Sequence, residues 1–85
     1  MGYKILFKNS VSKDLKKIDK NKARDIVEKI ETELSEKAEE NPTLKGKFSG
    51  LRKYRIGDYR IIYTILDPER VLILRIAHRK KVYKK

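Results

Sequence analysis

The chain has 85 residues with no cysteine and one histidine, which excludes disulfides and thiolate metal sites and leaves too few ligands for a structural zinc. A domain of this size buries only about 60–65% of its unfolded surface, so a deep enclosed active site is not expected. No apolar run reaches the length of a membrane span and the N-terminal apolar stretch is too short for a signal peptide, so one cytoplasmic, membrane-free domain over residues 1–85 is expected.

Residues 3–7 form a short apolar segment bounded by polar residues, which predicts a first strand. Ser10 is placed to cap a helix in which Val11, Leu15 and Ile18 recur at helical spacing. Asp19-Lys20-Asn21 interrupts that pattern and can start a second helix. In it, Ala23, Ile26, Val27, Ile30, Leu34 and Ala38 make an apolar stripe opposite Glu28, Lys29, Glu33, Glu36 and Lys37. Asn41-Pro42 ends it, and a loop with Gly46 and Gly50 follows.

From Leu51 the period changes to two. Strands are predicted over residues 51–56, 59–66 and 71–78, joined by turns at Gly57-Asp58 and at residues 67–70. The expected fold is α+β: an N-terminal strand, a helical hairpin, then a three-stranded antiparallel meander. The first strand adds at an edge and the helices pack on one face. The other face then stays open and partly polar.

Charge is distributed unevenly over this plan. Residues 1–44 carry 10 Lys/Arg and 9 Asp/Glu, whereas residues 45–85 carry 13 and 3, so almost all of the +11 net charge lies in the second half. A solubilising surface accounts for the mixed first half but not for a one-signed second half, which points to a polyanion.

Alternation places Tyr59, Ile61, Tyr63 and Ile65 on one face of the middle strand, and Arg60, Ile62, Thr64 and Leu66 on the other. In the last strand it groups Leu72, Leu74, Ile76 and His78 against Val71, Ile73, Arg75, Ala77 and Arg79. Lys53 and Arg55 share a face, with Arg52 and Tyr54 pointing the other way. Arg60 interrupts an apolar strand at the centre of the sheet, a costly place for a guanidinium unless it meets an anion or opens to solvent. A salt bridge to Asp58 or Asp67 is the competing reading. His78 serves either packing or proton transfer at a strand end, and Tyr83 either stacks on a base or pins the tail.

The four glycines are scattered, so no phosphate loop is present. No nucleophile elbow appears, and the carboxylates of the second half fall in turns, which argues against a two-metal nuclease. RNA cleavage by this chain would have to use attack of the 2′-hydroxyl on the adjacent phosphate, with cations stabilising the phosphoryl oxygens.

The run Leu51-Arg52-Lys53-Tyr54-Arg55-Ile56-Gly57-Asp58-Tyr59-Arg60-Ile61-Ile62-Tyr63 resembles the central signature of the RelE/ParE toxin superfamily. Ile76-Ala77-His78-Arg79-Lys80-Lys81-Val82-Tyr83 resembles its C-terminal signature, and Lys13-Asp14-Leu15-Lys16-Lys17-Ile18 after an opening strand also fits. The resemblance implies the toxin of a type II toxin–antitoxin pair, bound and blocked by a RelB-like antitoxin in a hetero-oligomer. For RelE-like members it further implies metal-independent cleavage of mRNA on the ribosome, with no cofactor. Arg60 matches the family's substrate-phosphate arginine, Arg79 its transition-state arginine, and Tyr83 its C-terminal tyrosine. Lys53 matches a proposed general base and His78 a histidine some branches use in acid–base work. Arg52, Arg55, Lys45, Lys47, Lys80 and Lys81 are the remaining expected RNA contacts. Lys53 and Arg55 stand where some members have two lysines, and an arginine is a poor general base. The alternatives are a ParE-like inhibitor of DNA gyrase and a non-catalytic RNA-binding relative.

Overall fold

The structure is a computed structural model that describes residues 2–44, 50–67 and 69–78. The chain runs β1 (Lys4–Phe7), α1 (Asn9–Lys16), α2 (Lys20–Lys29), then β2 (Arg52–Ile56), β3 (Tyr59–Asp67) and β4 (Arg70–His78). The order in the sheet is β1-β4-β3-β2. β2, β3 and β4 form the expected antiparallel meander, and β1 adds at the edge, parallel to β4.

Of the two helix starts, that of α2 follows the expected local chemistry and that of α1 does not. Asp19 caps α2, its carboxylate accepting from the N–H groups of Asn21 and Lys22 at 3.2 and 3.4 Å. Ser10, by contrast, is not the cap of α1. Lys8 holds that position without a side-chain bond. The Ser10 hydroxyl instead donates to the Leu74 carbonyl at 2.9 Å. The β1 ladder on β4 ends at Ile73, so among the described residues Leu74 has no strand partner on that side and α1 supplies a donor.

α2 continues through a π-helical turn (Ile30–Leu34), one α-turn (Ser35–Lys37) and a 3₁₀ turn (Ala38–Glu40). Ile26, Ile30, Leu34 and Ala38 are all buried along it. Residues four apart drift by about 40° per step on an ideal helix, so the three steps from Ile26 to Ala38 would carry the stripe off the core. The wider π-turn takes back part of that drift and keeps the stripe on the sheet.

The core lies between these helices and one sheet face: Val11, Ile26, Ile30, Leu34 and Ala38 pack against Ile61, Tyr63, Val71, Ile73 and Ile76. The Tyr63 hydroxyl donates to the Ala38 carbonyl at 2.6 Å and accepts from Asn41 Nδ2 at 3.1 Å. Burial raises its pKa above the usual 10.0.

β2 and β3 follow the alternation read from sequence, and their turn has Gly57 at φ 56°, in the left-handed region that suits glycine at the first central position of a primed hairpin turn. β4 does not. Ile62 pairs with Arg75, but Tyr63 pairs with Ile73, leaving Leu74 as an extra residue in a β-bulge. Val71, Ile73 and Ile76 are consequently all buried. The expected grouping of Leu72, Leu74 and Ile76 on one face is therefore corrected: the faces exchange at Leu74.

Candidate nucleic-acid interface

The face not covered by helices is built from three strands. Arg55 pairs with Arg60, and Arg60 pairs with Ala77; Lys53 pairs with Ile62, and Ile62 with Arg75. Directly paired residues share a face, so Lys53, Arg55, Arg60 and Arg75 all stand on the open side. Arg55 and Arg60 oppose each other directly, an arrangement of like charges that costs stability and suits an anionic ligand. Ala77, on the other flank of Arg60, contributes only a methyl group and leaves the floor of the sheet accessible.

Arg60, Ile62, Arg75, Ala77 and His78 line one groove of about 600 Å³, closed on its far side by the end of α1 at Asp14 and Lys17. His78 stands edge-on to Tyr59, with ring centroids 5.1 Å apart and planes at 88°. His78 pairs with Tyr59 and so belongs to the helix-side face of the sheet, opposite to Arg60, and it reaches the groove at the end of the sheet.

Asp14 organises the α1 side. Its Oδ2 accepts from the Ile76 N–H at 2.9 Å and from Arg75 Nε at 3.0 Å. The Asp14 side chain is only 10% exposed, whereas that of Arg75 is 59% exposed. Asp14 therefore takes the β4 N–H beyond the end of the β1 ladder, which stops at Ile73.

Arg52 goes elsewhere. It pairs with Tyr63, and its Nη1 donates to the carbonyls of Asn41 at 2.7 Å and Glu39 at 3.2 Å. It fastens the end of the α2 extension to β2, on the helix side of the sheet and away from Lys53, Arg55 and Arg60, so the structure does not group it with the basic cluster. Tyr54 also faces the helices, where burial, with a smaller contribution from Glu33, raises its pKa. Lys45, Lys47, Arg79, Lys80, Lys81 and Tyr83 lie outside the described residues. Among the described residues, no group of three His, Asp or Glu side chains is placed to hold a metal ion, and no helix is long and apolar enough to cross a membrane.

Sequence reasoning overlooked Asp14 and Arg75. Arg75 carried a usable signal, since it interrupts the apolar run of β4 just as Arg60 interrupts β3. Asp14 carried none, because an acidic residue on a helix is ordinary.

The family model described as ParE toxin of type II toxin-antitoxin system, parDE, matches residues 5–83. A chain of the RelBE2 toxin–antitoxin complex of Mycobacterium tuberculosis is similar over 93% of this chain and 100% of its own length, with 30% identity and a TM-score of 0.86. A chain of the archaeal RelE–RelB complex of Pyrococcus horikoshii is 26% identical, with 93% of this chain and 97% of that one covered and a TM-score of 0.64. The chromosomal ParDE system of P. aeruginosa shares the fold at 17% identity, with coverage of 89% and 95% and a TM-score of 0.71. Curated protein sequences give no match.

Proposed function

Because the chain belongs to the RelE/ParE superfamily of type II toxin–antitoxin toxins, we propose that it is a RelE-like toxin that cleaves mRNA on the ribosome without a metal ion. The observation that carries this reading is the cluster of Lys53, Arg55, Arg60 and Arg75 on the uncovered sheet face, two of which, Arg60 and Arg75, line the groove.

In the proposed reaction the 2′-oxygen of one nucleotide attacks the adjacent phosphorus and the bond to the 5′-oxygen breaks. The products are a 2′,3′-cyclic phosphate and a free 5′-hydroxyl. The 2′-hydroxyl gives up a proton and the leaving 5′-oxygen gains one. Arg60 holds the phosphoryl oxygens and stabilises the charge that grows there. Arg79 and Tyr83 are proposed to complete the phosphate site from the C-terminal segment. Lys53 and His78 are the proposed proton carriers; Arg55, on the same face as Lys53, is not one because a guanidinium does not deprotonate. Arg55, Lys45, Lys47, Lys80 and Lys81 are proposed to follow the RNA backbone.

A RelB-like antitoxin with an acidic segment would silence the protein by covering this face. Co-purification of the chain with a small acidic partner encoded beside it tests that part. The activity is tested by inducible expression followed by mapping of mRNA 5′ ends. Cleavage is expected from the native protein and not from Arg60→Ala or Arg79→Ala. Growth arrest with DNA damage and intact mRNA would select gyrase inhibition instead.

A further inference from the structure

We propose that Arg75 is a further phosphate-binding residue of the groove and that Asp14 is the residue that positions it. This rests on the reading of the groove as an RNA site.

Arg75 is placed for the task by register. Arg60 pairs with Ala77, and Arg75 lies two residues before Ala77 on the same face. Arg60 and Arg75 are thus diagonal neighbours, roughly 7–8 Å apart for such positions and within reach of long side chains. The diagonal between them is flanked by Ala77, which adds only a methyl group, and by Ile62, which gives the floor an apolar side. Two arginines across an open floor can each meet a different phosphate, or different oxygens of one.

Asp14 supplies what register does not. One carboxylate oxygen is anchored by the Ile76 N–H and grips Arg75 through Nε. That bond uses the inner edge of the guanidinium, so Asp14 does not consume the terminal amino groups that bind phosphate bidentately. An exposed ion pair is worth little to stability. A pair with one partner 10% exposed and the other 59% exposed, at the wall of a cationic groove, is better suited to aiming the arginine. The rotamer freedom that Arg75 would lose on binding RNA is already given up.

The test uses the full chain and a 2′-O-methyl RNA oligonucleotide, in which the attacking hydroxyl is blocked. Binding is followed by fluorescence anisotropy across a series of KCl concentrations, and thermal unfolding reports on the fold. Arg75→Ala is expected to weaken binding and to reduce the slope of log K against log[KCl] by about 0.7, the loss of one single-strand phosphate contact. Arg75→Lys is expected to bind weakly as well, because one ammonium cannot hold Asp14 and clasp a phosphate. Asp14→Ala should weaken binding and add little to Arg75→Ala in the double variant. Asp14→Asn keeps an acceptor for the Ile76 N–H, so it should fold normally and bind with intermediate strength. If Arg60→Ala loses affinity while Arg75→Ala keeps both affinity and slope, Arg75 makes no phosphate contact and the inference falls alone. If Asp14→Ala and Asp14→Asn bind as the native chain does, Asp14 does not position Arg75. If Arg60→Ala and Arg75→Ala both bind unchanged, the RNA reading falls and takes the inference with it.

Discussion

The two ends of β4 solve the same problem differently. From Arg70 to Ile73 the strand has a neighbour on each side, β1 and β3, and its inward residues Val71 and Ile73 are fully buried. From Arg75 to His78 its strand neighbour among the described residues is β3, and on the other side α1 offers a single carboxylate. The first end contributes packing. The second, less completely paired end carries the side chains that line the groove. A β-bulge divides the two, which is where sheets commonly re-aim a side chain.

Mutations should separate the two ends. Ile73→Ala, in the packed end, is expected to cost about 2–5 kcal/mol by leaving a cavity, enough to unfold a small domain, as chemical denaturation would show. Arg60→Ala, beside the groove end, should instead reduce cleavage by about 10²–10³ with little change in the unfolding midpoint. A large stability loss from Arg60→Ala would erase the distinction. Asp14→Ala should cost about 1–3 kcal/mol, because the Ile76 N–H loses its acceptor beyond the end of the β1 ladder.

Tyr63→Phe tests the packed end more gently. It removes a hydroxyl bonded to Ala38 and Asn41 and should cost about 1 kcal/mol. The native hydroxyl also predicts an alkaline effect. Its folded pKa lies above the unfolded 10.0, so the unfolded state releases its proton first. Stability is then unaffected by this group below pH 10 and falls as pH rises above it. Tyr63→Phe should flatten that part of the profile. The smallest effect is expected at Arg55→Ala, which removes the like charge opposite Arg60. It should gain about 0.2–1 kcal/mol of stability while weakening RNA binding.

Much of the fold was legible because its signals are local. Glycine at residue 57 marks the hairpin, and the alternation of Tyr59 to Tyr63 shows which side of β3 is buried. Arg60 was legible for the same reason, since it breaks an apolar run whose period was already clear. The faces of β4 were not. Val71, Leu72, Ile73 and Leu74 are all apolar, so no polar residue marks where the register slips. Ser10 misled for a related reason. It has the chemistry of a cap, but its acceptor is 64 residues away in sequence. The π-turn likewise answers to the spacing of Ile30 and Leu34 over the sheet rather than to any residue type.

The parallel pairing of β1 with β4 sets the order in which the protein can come into being. Lys4 has no ladder partner until Arg70 exists, and Phe7 none until Ile73 exists. Ser10 and Asp14 must likewise wait for Leu74 and Ile76. A chain still being synthesised can form the helices, but their apolar stripe has no sheet to cover until nearly all of it has been made. Contacts this distant in sequence close slowly. The groove is assembled from the same late contacts, so a partly made chain has none of it: the β4 wall is missing, and Arg60 has no Ala77 beside it.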